Sequence, residues 1–497
     1  MTTPLLLSVV FGYFLLLLGI AWYTSRGAGE HSFYSGDRKS LWWVVAFGMV
    51  GTSLSGVTFI SVPGAVQTQH WSYLQVVLGY VLGYFVVAGI LLPIYYQLQL
   101  TSIYGYLRQR FGDTSYRTGS GIFIVSRLVG ATIRIYIVLN VIHVFLLKDM
   151  GIPFVATSSV VMMMIFLYTL QGGVKTIVWT DTFQTLFMLA ALVGTILHIM
   201  NDPLMENVTS DFMKSPLLEV FNTDWKSDTY FLKQIISGIF ITIAMTGLDQ
   251  EMMQKNLSVR TLKDAQKNMV VFSIVLLLVN ILFLALGVLL YLKANQLGLP
   301  SFEKRTDELF PTLALQNFPF WIGLLFIVGL ISALFPSADG ALTALTASTC
   351  IDFIGIRERG WSESQQKIVR KSVHLAMTFV FLLFILWFYW RQDGTIITTL
   401  LTLAGFTYGP LLGLFAFGIL TKARPREPAV PAICLIAAVG TYFLREYSPA
   451  LFSGYKMGFE TLLVNAGITF GLLALSSVGN GTITTNLAAS DGKEMAG

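Results

Sequence analysis

The sequence predicts an all-α polytopic membrane protein, and three observations carry that reading. Hydrophobic residues fill 55% of the 497 positions while charged residues fill 12%, where a soluble domain is roughly a quarter charged. Mean hydropathy is +0.69. Apolar windows of about 20 residues, the length that crosses a bilayer as a helix, recur along the whole chain.

Those windows place helices at 4–25, 42–67, 73–97, 118–146, 152–170, 176–200, 231–252, 268–292, 320–351, 372–390, 396–420, 428–445 and 456–477. The first has no basic stretch before it and no small-residue cleavage site, so it reads as a retained helix and not a signal peptide. Thirteen spans put the termini on opposite sides of the membrane. Lysine and arginine bias decides which side: with the N-terminus outside, the cytoplasmic segments hold 20 of the 32 basic residues and the outer segments 10, the other two being Arg127 and Arg134 inside a span. N-outside, C-inside follows. This bias also accounts for the net charge of +5 without any nucleic-acid partner.

No linker or low-complexity segment interrupts the chain, so residues 1–478 read as one transmembrane domain and 479–497 as a disordered cytoplasmic tail. The connections 201–230 and 293–319 mix acids, lysines and aromatics and suit short helices capping the outer mouth. Asn207-Val208-Thr209 forms a sequon, meaningful only in a eukaryotic source. Cys350 and Cys434 both fall in spans, which leaves no disulfide framework. No Cys/His grouping has metal-ligand spacing.

Two spans are anomalous. The middle of 42–67 reads Gly51-Thr52-Ser53-Leu54-Ser55-Gly56-Val57-Thr58, with Pro63 and Gly64 soon after; Ser332, Pro336, Ser337, Asp339, Gly340 and Thr343 crowd 320–351. Backbone polar groups in hydrocarbon must be satisfied internally, so such clusters are tolerated only beside protein or a wet cavity. Two interrupted helices in separate parts of a chain point to a secondary transporter's binding site.

The sequence resembles the sodium:solute symporter family, the relatives of the sodium/glucose, proline, pantothenate and sialate transporters. The segments that carry the resemblance are TSLSGVTFISVPG (52–64), QGGVKTIVWTDTFQ (171–184), DQEMMQKNLSVRTLKDAQK (249–267), PSADGALTALTASTCID (336–352) and YGPLLGLFAFGIL (408–420). The resemblance implies a LeuT-type architecture: an extra helix at 4–25, five helices over 42–200, the same five inverted over 231–420, and peripheral helices over 428–477. It also implies alternating access, no enzymatic activity, and sodium as coupling ion without a further cofactor. Expected partners are a small solute (sugar, sugar acid, carboxylate or amino acid), sodium and the bilayer of a plasma membrane, most simply the bacterial inner membrane, with the monomer as working unit.

The family pattern places one sodium on carbonyls that map onto Gly51 and Leu54, on the Ala333 carbonyl, and on hydroxyls at 336 and 337. Ser337 fits; Pro336 offers no hydroxyl, though the missing amide frees the Ser332 carbonyl to substitute. In some members a second sodium lies near an acid that maps onto Asp181, opposite the position held here by Asp339. A carboxylate in the bilayer is a functional candidate by default, so Asp181 and Asp339 are expected to frame a second cation site. Simple contact with water or pairing with an arginine is the other reading of these two.

Substrate contacts are expected from Ser53, Ser55 and Thr58, with Tyr73 and Gln75 facing them. The hydroxyl stretch is like that of sialate transporters, but their glutamine falls at Val77 and their arginine at Gly130. Arg134 lies near mid-span and must meet an anion, either an internal acid such as Asp339 or a carboxylate of the solute. His143 reads as a packed histidine, and Phe406 and Tyr408 as core filling. Proton coupling through Asp339 and a transport-inactive nutrient sensor remain the alternatives. An intramembrane aspartyl protease is not favoured, since Asp339 sits in SADG and lacks the GxGD such enzymes carry.

Overall fold

The computed structural model describes residues 3–24, 39–356, 358–391 and 396–477. The expected tail at 479–497 lies outside them. Helices joined by irregular connections make up the described chain, with two isolated β-bridges. They are α1 (Thr3–Thr24), α2 (Trp42–Ser53), α3 (Gly56–Gln69), α4 (Tyr73–Gln97), α5 (Gly105–Arg110), α6 (Asp113–Met150), α7 (Phe154–Met200), α8 (Val208–Met213), α9 (Phe231–Gly247), α10 (Gln250–Leu257), α11 (Leu262–Gln296), α12 (Phe320–Ile354), α13 (Glu363–Arg391), α14 (Ile396–Leu420), α15 (Val430–Leu451) and α16 (Thr461–Ser477).

Among the described residues eight helices are long and apolar enough to cross a membrane, ten if each bent pair counts as one span; shorter apolar helices cover Ser8–Thr24, Phe154–Leu170 and Thr461–Ser477. The bent pairs are α2 with α3, at 56°, and α9 with α10, at 66°. In the first, Leu54 leaves the helix at ψ 71° and Ser55 is extended at ψ 178° before Gly56 restarts it. In the second, Asp249 is extended at ψ 121° and its carboxylate accepts the Glu251 and Met252 amides as the N-cap of α10.

The expected interruption near Pro336 is not there. α12 runs through Pro336 as one helix. A mid-helix proline costs one hydrogen bond and strains the preceding turn, but every residue from Gly329 to Ser348 is buried and α12 lies along α7, so packing holds it helical. The second broken span is therefore α9/α10. α7 is itself kinked where Gly173 takes φ 55°, a conformation open to glycine.

Small residues set how closely the helices approach. Gly79 of α4 and Gly238 of α9 lie back to back: a Cβ on either would meet the other's Cα at about 3 Å and strike the carbonyl of Ile235 or Val76. Pro410 within α14 cannot donate to the Phe406 carbonyl. Asn465 of α16 supplies the donor, its Nδ2 lying 3.0 Å from that oxygen and 3.2 Å from the Gly405 carbonyl.

Candidate functional site

The two breaks differ in how they dispose of their orphaned carbonyls. At the second, Tyr95 donates its hydroxyl to the Gly247 carbonyl at 2.9 Å and Tyr104 donates to Leu248 at 3.0 Å. Together with the Asp249 cap, this leaves that break satisfied from within. At the first, the ladder ends with the Leu54 amide on Val50 and resumes with Phe59 on Ser55. The carbonyls of Gly51 to Leu54 have lost their i+4 donors, and no described backbone amide replaces them. Buried carbonyls do not stay unpaired without reason, and oxygens gathered at a broken helix suit a hard cation.

The hydroxyl expected to complete that cation site is available. Ser337 is fully buried and its Oγ has no hydrogen-bond partner. Ala333 and Leu54 are equally buried. Gly51 packs so tightly on α7 that a Cβ would strike the Thr185 hydroxyl. Pro336 still withholds the Ser332 amide partner, while the Ser332 hydroxyl is engaged with Tyr13 at 2.7 Å.

A cavity of about 90 Å³ opens beside the first break, lined by Ser53, Ser55, Thr58, Tyr73 and Arg134 among others. That is room for several waters or one small solute. Gln75, expected with them, is buried outside the lining, its amide 3.5 Å from the Thr229 carbonyl. Arg134 has no acid within ion-pair distance among the described residues, and its buried Nε is unpaired. Arg127, two turns earlier, is committed instead: it pairs with Glu251 and lies 3.6 Å from Asp249. His143 packs edge-on to Phe154 and Tyr389.

The two acids expected to frame a second cation site have partners of their own. Asp339 accepts the Tyr168 hydroxyl. Asp181 is ion-paired to Lys255, whose Nζ lies 2.7 Å from its Oδ2 and donates to the Thr52 hydroxyl at 2.6 Å and toward Glu251 at 3.4 Å. Lys255, one of the 20 basic residues counted above as cytoplasmic, is 3% exposed and lies inside the protein; the basic asymmetry holds without it. The signal in the sequence was Glu251 and Lys255 at i and i+4 directly after an apolar run, a spacing that puts them on one helical face.

Comparison with known proteins identifies the fold and the family. A solved structure of a Na+-coupled sialic acid symporter, in a substrate-bound outward-open state, superposes with a TM-score of 0.80 at 20% identity, covering 95% of this chain and 97% of that one. The sodium/sialic acid symporter SiaT of Proteus mirabilis is 23% identical over 484 residues, 94% of this chain and 95% of its own. The sodium-coupled monocarboxylate transporter 1 of Mus musculus is 27% identical over 437 residues, 83% of this chain and 68% of its own. The human sodium/iodide cotransporter is 25% identical over 435 residues, 83% of this chain and 66% of its own. The model of the sodium:solute symporter family matches residues 33–432, and with four-fifths of its length inside that match the chain belongs to this family of membrane-embedded, sodium-coupled transporters.

Proposed function

We propose that the chain is a sodium-coupled symporter of a small organic carboxylate, importing it by alternating access. The observation that supports this most directly is Arg134: a guanidinium facing the cavity with no acid partner, where an uncompensated charge is costly. A carboxylate is the ligand whose two oxygens match its fork. Ser53, Ser55, Thr58 and Tyr73 add hydroxyls from the same cavity. Among the relatives, the monocarboxylate and sialic acid transporters act on carboxylates.

In this reading sodium binds where α2 stops, on the carbonyls of Gly51, Leu54 and Ala333 and the hydroxyl of Ser337. Asp181 and Asp339 frame a second cation seat deeper between α7 and α12. A sodium on the α2 carbonyls fixes the break that also shapes the solute cavity, which ties the two occupancies together. Thirteen crossings, repeats over 42–200 and 231–420 within a single domain, N-outside orientation, a monomeric working unit and a bacterial inner membrane complete the proposal.

The test is uptake into proteoliposomes of a panel of labelled short carboxylates, sugars and amino acids, in sodium and with sodium replaced by choline at fixed pH. Sodium-dependent accumulation of a carboxylate is expected. Accumulation that survives in choline but collapses without a pH gradient favours proton coupling through Asp339. Accumulation of an uncharged solute alone removes the role of Arg134.

A further inference from the structure

We propose that the ammonium of Lys255 is a resident cation: it fills the seat between Asp181 and Thr52 that a second sodium would take, so the transporter binds one sodium and not two. This rests on the reading that Asp181 and Asp339 frame a cation seat. The ammonium lies in a buried cage of oxygens, 2.7 Å from the Asp181 carboxylate, 2.6 Å from the Thr52 hydroxyl and 3.4 Å from Glu251. Thr52 also reaches Asp181 Oδ2 at 3.1 Å, so both oxygens converge on one point and that point is occupied by nitrogen. Two monovalent cations sharing that carboxylate would repel strongly where water is absent.

The formal charges inside this part of the helix bundle lead to the same stoichiometry. Asp181, Asp249, Glu251 and Asp339 stand against Arg127, Arg134 and Lys255, four acids to three bases. A single monovalent cation makes that set neutral before the solute arrives. Without Lys255 the shortfall doubles, and two sodium ions would be called for. Lys255 stands on α10, beyond the break in the second bent span, while Asp181 and Thr52 belong to α7 and α2. The tether therefore joins the two broken spans across the scaffold, as a diffusible ion would, but cannot be released to the cytoplasm.

The experiment counts bound sodium with no solute present, by equilibrium binding of radiolabelled sodium to the purified full-length protein, balanced with choline. The expected result is one ion per chain. Two ions per chain in the wild type overturn the proposal. No saturable sodium at all overturns the proposed function, and this inference with it. The variant Lys255→Met opens the seat and is expected to bind two ions; a count still at one overturns the proposal. Removing one partner of a buried pair destabilises, so the same variant is also followed by its unfolding temperature against sodium. A steeper rise with sodium than in the wild type is expected. An identical rise overturns the proposal, and should the variant fail to fold, the wild-type count decides alone.

Discussion

Tyr408 donates its hydroxyl to Asp249 at 2.8 Å, so the middle of α14 is tied to the residue that caps α10 at the second break. Asp249 thereby serves three masters: the α10 amides, Arg127 and Tyr408. Tyr408→Phe keeps the ring and removes the bond. A hydrogen bond to a charged group contributes about 1.5–3 kcal/mol, and the expected outcome is a lower unfolding temperature in detergent with the sodium count unchanged. An unaltered unfolding temperature would show the bond to be dispensable.

Arg134→Lys retains the charge and loses the fork. The half-saturation concentration for a carboxylate solute is expected to rise on the order of tenfold to a hundredfold, the equivalent of roughly 1.5–3 kcal/mol. Sodium binding without solute stays as it was. Dose-response uptake in proteoliposomes, run beside sodium-induced thermal stabilisation, separates the two effects.

Ser337→Ala removes the buried, unpartnered hydroxyl that is proposed to hold the sodium. Apparent sodium affinity is expected to fall by up to about tenfold, the worth of a single good oxygen partner. Fluorescence titration with sodium chloride against choline chloride reads it directly, and an unchanged midpoint would place the ion elsewhere.

Pro336→Ser runs in the other direction. It restores an amide for the Ser332 carbonyl and adds a hydroxyl one residue before Ser337 on a helix that is already continuous. Tighter sodium binding and a higher unfolding temperature are expected, measured in the same titration and in a thermal scan.

Gly238→Val inserts a branched side chain where a Cβ already strikes the Val76 carbonyl. Overpacking of this kind costs roughly 1–3 kcal/mol, and here backbone, not a movable side chain, stands in the way. The expected outcome is poor recovery of folded protein by size-exclusion chromatography, and normal recovery would mean α4 and α9 can part freely.

Hydropathy and the quoted motifs made the membrane class and the family legible, because twenty apolar residues and a WTD or GPLLGLF block need no tertiary context. The first break was equally plain, since Gly51 to Thr58 combines weak helix formers with hydroxyls in the middle of a span. Pro336 misled for a physical reason: a proline announces a lost hydrogen bond, but only neighbours decide whether the helix bends, and α12 is held on every side. The second break lies at Gly247, and the tyrosines that satisfy it, Tyr95 and Tyr104, lie some 150 positions away in sequence. Lys255 was hidden by convention, since a lysine just past an apolar run is ordinarily a loop charge. The i, i+4 spacing of Glu251 and Lys255 is the one local sign, and it marks a shared helical face without saying that α10 turns back into the protein.

The patch that Asn465 lays over Pro410 has a practical side. Asn465 touches two carbonyls of α14, and that of Phe406 has no i+4 donor in its helix, so the last described helix is a splint for a bone it does not belong to. Anyone grafting the C-terminal segment of a relative onto this chain, or trimming it to shrink an expression product, must carry that asparagine across or relieve the proline. Otherwise the Phe406 carbonyl, which Pro410 cannot serve, is left without a donor.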